Sequence, residues 1–274
     1  MFNLLRFELR VRTGAIIGWG IGLFIFAGGY LMFYPSIEEQ FSKLDISNIP
    51  LYQAFGEMNM ATFEGYMAST VVNFLAVIFA IYAVVNGTGT LAGEEDAGTL
   101  ELLAAMPLPR WQIVTAKAVA IIISGVLILV LTVLGVMGAV AWLVEQVETQ
   151  ITAADSIPAV FGALPITMCF MMISLFLGAW LPNRRAASTA GTVIVIFSYL
   201  GSNLANMIDA LKPVKPYLPF TYYETTARVF TEGIDVGDAL ILLGVAAVFL
   251  ALAILAFQRR NLTTGAWFWQ RGRG

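Results

Sequence analysis

The sequence predicts an all-α membrane protein, and three observations support that prediction. Hydrophobic residues make up 59% of the 274-residue chain and charged residues only 12%, far from the averages of soluble domains. Six stretches contain no Asp, Glu, Lys or Arg, and each has the roughly 20 residues that a helix needs to cross ~30 Å of hydrocarbon. None of the six shows the period-two alternation of a membrane barrel, so helices are the state that satisfies their backbone in lipid.

The six uncharged stretches define a polytopic protein with six transmembrane helices. The segments between them are too short to form a soluble core, so residues 1–274 are predicted to form a single transmembrane domain. The single cysteine, Cys169, lies in the fourth stretch and excludes an intramolecular disulfide. In chain order the stretches are Thr13–Ile37, Gly65–Gly93, Ala118–Val144, Ser156–Asn183, Ala186–Ile208 and Ala239–Gln258, with lengths of 20 to 29 residues.

The distribution of cations predicts the orientation. With a cytoplasmic N-terminus, 11 of the 15 Lys and Arg residues lie in the inner segments. The positive-inside rule therefore places both termini in the cytoplasm of a multi-pass protein of the cell (plasma) membrane. The net charge of −3 gives no reason to expect a nucleic-acid partner.

Residues 2–12 are predicted to form an interfacial helix before the first span. Leu5–Arg12 alternate apolar and charged residues, which by periodicity alone would suit a strand. A helix is preferred because Arg6 and Arg10 then share one face, and because an unpaired strand at a membrane surface would leave its backbone unsatisfied. Arg6, Arg10 and Arg12 fit either positive-inside anchoring or contact with a cytosolic protein.

Several absences limit the possible functions. The chain has no histidine, and the six stretches contain no ionisable side chain of the kind that marks ion pathways and proton relays. It also lacks a Gly-x4-Gly-Lys-Ser/Thr phosphate loop. No catalytic, cofactor-binding or metal-binding residue is predicted, and energy for active transport would come from another polypeptide through a cytoplasmic surface.

That surface is expected between the second and third spans, at residues 93–117. Thr99 is a suitable N-cap, Glu101 lies in the favourable first turn, and Pro107 and Pro109 end the helix. An isolated helix of this length is marginal in water. Its apolar side chains are predicted to bind a groove in a partner or the headgroup region; they are Leu100, Leu102, Leu103 and Met106.

The string Gly-Glu-Glu-x-x-Gly-Thr-Leu-Glu-Leu-Leu-x-x-x-Pro-x-x-Arg, from Gly93 to Arg110, resembles the first coupling loop of ABC type-2 transporter permeases. Tyr217–Tyr223 resembles that family's membrane-dipping hairpin, and residues 2–12 occupy the place of its connecting helix. The outer segment before span 2 resembles the long first loop of the bacterial six-span members, through Ile49-Pro50, Phe55-Gly56 and Thr62–Tyr66. The resemblance assigns ATPase coupling to Glu94, Glu95, Gly98, Thr99, Glu101, Leu102, Leu103, Met106 and Arg110.

The resemblance also implies partners. The chain would be the permease subunit of an ATP-driven transporter, and ATP and Mg would bind separate ABC ATPase subunits. A second permease copy would complete the membrane part as a homodimer or a heterodimer, surrounded by membrane lipids. Two other functions stay open: a non-transporting scaffold or sensor that docks a cytosolic partner through the same loop, and a membrane-embedded transferase.

The segment between the fifth and sixth spans, Lys212–Asp238, is too long for a turn and too apolar for a free loop. Pro213, Pro216 and Pro219 prevent a continuous helix at its start. We expect a re-entrant hairpin in the outer leaflet, with residues 227–232 in the returning helix.

The fifth span carries polar residues at helical spacing on one side, and such a face must contact protein or a cavity. Interhelical hydrogen bonding is one interpretation. The resemblance raises another, in which this face and Thr70 and Asn73 of the second span line a translocation path at a dimer interface. Without a charged element, the path suits a lipophilic or amphipathic compound. We expect export of this compound, although the residues leave import open. The path residues are Asn73, Ser188, Thr192, Tyr199, Ser202 and Asn206.

Gly14, Gly18 and Gly22 lie four residues apart in the first span. Such a stripe of small residues lets another helix approach closely. We expect it to pack against a helix of the same chain rather than to form a dimer seam.

Overall fold

The computed structural model describes residues 1–41, 62–96, 98, 108–223, 225–226 and 228–260. Six of its helices are long and apolar enough to cross a membrane, and these residue ranges contain no strand. The all-α, six-span prediction is therefore confirmed. The spans are span 1 (Phe2–Leu31), span 2 (Phe63–Met67, a π-helical turn Ala68–Val72, and Asn73–Asp96), span 3 (Arg110–Leu143), span 4 (Ala163–Trp180), span 5 (Arg184–Met207) and span 6 (Val236–Arg259).

Span 1 includes the N-terminal residues. Phe2–Leu31 is one uninterrupted helix of 30 residues, so residues 2–12 are helical as predicted and a strand is excluded. The predicted interfacial helix is the first part of span 1 rather than a separate element, because no proline or capping residue interrupts it. At ~1.5 Å per residue the helix is roughly 45 Å long, and its first turns extend beyond ~30 Å of hydrocarbon. A short helix, Tyr34–Phe41, follows it.

Span 4 lies at the centre of the bundle and packs against spans 2, 3, 5 and 6. Its side chains Ile166, Cys169 and Phe170 are almost fully buried. Span 1 packs along span 3, where a Cβ on Gly28 would lie 2.7 Å from the Gly135 carbonyl oxygen. Only glycine permits this approach of the two backbones.

The glycine stripe of span 1 does not make that contact. Gly14, Gly18 and Gly22 are exposed, and a Cβ on any of them would meet no atom of the described residues within 4 Å. The expectation of packing within the chain was therefore wrong for this stripe. Gly20 faces span 3 instead, because two residues along a helix correspond to about 200° around it.

Short helices cover the opposite end of the bundle from the N-terminus. Between spans 5 and 6 lie the 3-10 helices Asp209–Tyr217 and Pro219–Tyr222 and the helix Arg228–Thr231. Phe220 is 8% exposed and packs against the rings of Phe170 and Tyr199. The segment is therefore folded onto the spans, while its re-entry into the outer leaflet stays a prediction.

Candidate functional site

The N-terminal end of the bundle holds a buried network of charged side chains. Lys117 of span 3 is fully buried, and its Nζ lies 2.5 Å from Oε1 of Glu8 in span 1 and 2.5 Å from Oε1 of Glu94 in span 2. Burying one charge alone would be very unfavourable, whereas paired and hydrogen-bonded charges are tolerated. Lys117 therefore connects three spans at one point. We call this end of the bundle the basic end, since it also carries Arg12, Arg110, Arg184 and Arg260.

Arg12 extends the network across span 2. Its guanidinium group donates a hydrogen bond of 2.9 Å to Oγ1 of Thr90 and one of 3.5 Å to Oδ1 of Asn86. It also lies 3.5 Å from Oε2 of Glu8. Two cations and two carboxylates thus balance one another. Arg12 has a structural role here, whereas Arg6 and Arg10 are exposed.

Arg110 begins span 3 and binds the end of span 6. Its Nη1 donates to the backbone carbonyl groups of Phe257 (3.2 Å), Gln258 (3.2 Å) and Arg260 (2.6 Å). The last carbonyl groups of a helix have no N–H partner within it and carry partial negative charge. Arg110 therefore caps span 6 and fixes the end of the loop between spans 2 and 3.

Arg260 caps the end of span 4 in the same way. Its side chain is nearly completely buried, and Nη1 donates to the carbonyl groups of Gly178 (3.1 Å) and Ala179 (3.2 Å), while Nη2 donates to that of Pro182 (3.4 Å). The backbone carbonyl of Arg260 thus accepts a hydrogen bond from Arg110, while its guanidinium group donates hydrogen bonds to the end of span 4.

The predicted coupling residues have different positions. Glu94 and Arg110, near the two ends of the loop, both lie at the basic end and have partners within the chain. Gly98 has a positive φ of 71°, a backbone conformation that favours glycine. Among the other predicted coupling residues, Glu95 belongs to the span 2 helix. The side chain of Glu95 and the whole of Thr99, Glu101, Leu102, Leu103 and Met106 lie outside the described residues.

The predicted polar stripe of span 5 divides into two groups. Ser188 shares a hydrogen bond of 2.8 Å with Thr88 of span 2, Ser202 is buried and donates to the Tyr199 carbonyl at 3.2 Å, and Asn206 accepts from Nζ of Lys215 at 2.7 Å. These three side chains have partners within the chain. Thr192 is exposed and belongs to the second group, with Tyr199.

Thr192 and Tyr199 line an apolar groove between spans 2 and 5. It has a volume of about 410 Å³, and no charged residue is among those lining it. Thr70 and Asn73, the predicted path residues of span 2, are not part of its wall. Both are buried, and Thr70 donates to the Tyr66 carbonyl within its own helix. The other lining residues are Val77, Ile81, Val84, Val85, Val195, Ile196 and Leu200.

Three charged residues of the basic end were not among the predicted site residues: Glu8, Lys117 and Arg260. Glu8 is the one acidic residue in the first 37 positions, which is a signal for a specific partner. Lys117 directly precedes the third uncharged stretch, and Arg260 follows the sixth. The structure buries Glu8 and Lys117 because the helices of spans 1 and 3 extend past the edges of those stretches. Arg260 follows the end of span 6 and is buried because its guanidinium group binds the carbonyl groups at the end of span 4.

Six helices that are long and apolar enough to cross a membrane define the chain as a multi-pass membrane protein. The chain belongs to the ABC-2 transporter family, since the family model described as "ABC-2 family transporter protein" matches residues 2–262. It is also similar to the uncharacterized protein YhcI of Bacillus subtilis (strain 168), with 23% identity over 257 residues that cover 83% of this chain and 78% of that protein.

Membership in this family makes the chain the membrane transport component, or permease, of an ABC transporter. Permeases of this kind work with ABC ATPase partners. The resemblance of the Gly93–Arg110 string to the family is thereby confirmed at the level of the family.

Proposed function

We propose that the chain exports a lipophilic or amphipathic compound as one of two permease copies, driven by separate ATPase subunits that bind ATP and Mg. The basic end faces the cytoplasm, as the positive-inside rule requires. The ATPase docks on the loop between Asp96 and Arg110, and the chain itself hydrolyses no ATP.

The observation that carries the proposal is the anchoring of this loop at both ends. Glu94 pairs with the buried Lys117, and Arg110 binds three carbonyl groups at the end of span 6. A loop held in this way can pass a force on to the spans, whereas a freely hinged loop would absorb it. Its apolar residues, among them Leu102 and Leu103, supply a surface for a partner groove.

The groove between spans 2 and 5 supports the choice of substrate class. Its wall is apolar apart from the hydroxyl groups of Thr192 and Tyr199, and Ile81, Ile196 and Leu200 on its rim are exposed. A compound dissolved in the bilayer could enter such a groove from the side without losing its apolar surroundings. A bare ion would find no charge to replace its hydration shell.

Leu103→Asp tests the ATPase contact. A charge in an apolar contact costs several kcal/mol, so the variant should insert normally and lose its ATPase during affinity purification of the complex. Leu103→Met, which conserves volume and polarity, is the matched control and should retain the ATPase. Normal co-purification of Leu103→Asp would contradict the proposal. Failure of the native chain to capture any ATPase would favour a scaffold or sensor.

A further inference from the structure

We infer that the linker between spans 4 and 5, residues 181–183, receives the movement of the coupling loop from both of its ends. We call this route from the coupling loop to the linker the relay, and Asp96 and Arg260 are its positioning residues. The inference rests on the proposed function, since it requires that an ATPase act on the loop. It adds the route from that loop to span 5, which carries Thr192 and Tyr199 of the groove.

The first arm of the relay starts at Asp96, the last residue of the span 2 helix. Its Oδ2 accepts a hydrogen bond of 3.1 Å from the backbone N–H of Arg184, the first residue of span 5. Asn183 caps the same helix by accepting from the N–H of Ala186 at 2.8 Å. A carboxylate is favourable at a helix N-terminus, so the start of the loop is attached to the start of span 5.

The side chain of Arg184 strengthens this arm. It lies over span 2, with Nη2 at 3.3 Å from the position that a Cβ on Gly89 would take and Cδ at 3.3 Å from the corresponding position on Gly93. The absence of side chains at Gly89 and Gly93 leaves room for the arginine. Asp96 and Arg184 thus join spans 2 and 5 through one backbone hydrogen bond and one packed side chain.

The second arm starts at Arg110, at the other end of the loop. Arg110 binds the backbone carbonyl of Arg260, and the guanidinium group of Arg260 binds the carbonyl groups of Gly178, Ala179 and Pro182. Pro182 belongs to the linker itself. Both ends of the loop therefore reach the same three-residue linker, one through span 5 and the other through span 4.

The second arm requires an arginine at position 260. The planar guanidinium group presents five N–H donors in a fixed fork, so that Nη1 and Nη2 reach three carbonyl groups at once. A lysine keeps the positive charge that favours a helix C-terminus but offers a single nitrogen on a flexible stem. Arg260→Lys therefore separates the geometry of the relay from its charge.

The experiment measures the distance between the walls of the groove in the assembled permease–ATPase complex. In a Cys169→Ser background, nitroxide labels are attached to Val85→Cys on span 2 and Ile196→Cys on span 5. Both positions are exposed and line the groove. Pulsed electron paramagnetic resonance then compares the complex without nucleotide and with ATP and vanadate.

With Arg260 and Asp96 in place, we expect ATP and vanadate to change the distance between the labels. Arg260→Lys should abolish the change while the ATPase still co-purifies and still hydrolyses ATP at its basal rate. The matched control is Arg259→Lys, at the neighbouring exposed arginine, which should keep the full change. Asp96→Ala should also lose it, whereas Asp96→Asn, which retains a carbonyl acceptor, should restore it.

Two results would overturn the inference. One is a full distance change in both Arg260→Lys and Asp96→Ala, and the other is a complex that binds its ATPase but shows no change with native Arg260. If Arg260→Lys does not fold, Asp96→Ala decides alone, because Asp96 is exposed. Failure to bind any ATPase would instead refute the proposed function, and the relay with it.

Discussion

The phenolic hydroxyl of Tyr223 donates a hydrogen bond of 2.9 Å to the backbone carbonyl of Val72, although 151 residues separate them. Val72 ends the π-helical turn Ala68–Val72 of span 2. In such a turn each backbone N–H bonds to the carbonyl group five residues earlier instead of four. Hydroxyl groups of the same helix bind nearby carbonyl groups, with Ser69 donating to Gly65 at 2.7 Å. Tyr223 thus attaches the segment after span 5 to the irregular turn of span 2.

Tyr223→Phe should lower the stability of the protein. The ring stays buried, but the Val72 carbonyl loses the donor from Tyr223 at a cost of about 1–3 kcal/mol. The midpoint of thermal unfolding in detergent should fall by several degrees. Tyr217→Phe is the control, since Tyr217 is 84% exposed, and it should leave the midpoint almost unchanged. Equal midpoints for the two variants would show that the hydrogen bond contributes nothing.

Lys117→Met should destabilise the basic end. The substitution leaves the carboxylates of Glu8 and Glu94 without their shared cation, and breaking a buried pair on one side typically costs about 3–5 kcal/mol. We expect a lower yield of monodisperse protein on size exclusion and a lower unfolding midpoint. Arg10→Met, at an exposed position of span 1, serves as the comparison. A loss no greater than that of Arg10→Met would argue against the buried network.

Thr192→Trp and Ser202→Trp should have different effects. Thr192 is exposed and lines the groove, so a large ring there should leave assembly intact and abolish the stimulation of ATP hydrolysis by an added amphipathic compound. Ser202 is 7% exposed, and overpacking it should cost ~1–3 kcal/mol and reduce the yield of the complex. The two measurements are complex yield and the ratio of stimulated to basal hydrolysis. An unchanged ratio in Thr192→Trp would remove the groove from the substrate route.

Phe220→Cys should resist a bulky maleimide added from outside, in a Cys169→Ser background. Phe220 lies between Phe170 and Tyr199, so the thiol would be enclosed by protein. Lys212→Cys should react fully, because the Lys212 side chain is 64% exposed. Equal labelling of the two positions would indicate that the segment opens readily.

The spans could be predicted from the sequence because a segment crosses the hydrocarbon when it is long and free of charged residues, and both properties can be read from the sequence. Six uncharged stretches sufficed, and the family string between Gly93 and Arg110 indicated the class of protein. The contacts of Arg110 and Arg260 could not be predicted, since their acceptors are backbone carbonyl groups, which every residue carries. Periodicity placed Thr192 and Ser202 on one face of span 5, but it contains no information about which neighbour covers each part of that face.

The pairing of Glu8 with Lys117 has a consequence for the biogenesis of the protein. The two residues are 109 positions apart, and a ribosome adding 5–20 residues per second needs roughly 5 to 20 s to make that length. During this interval the Glu8 carboxylate has no ammonium group from span 3, and the cation within its reach is Arg12 of the same helix. The ion pair that buries Glu8 between spans 1 and 3 is therefore completed only after Lys117 has been synthesised.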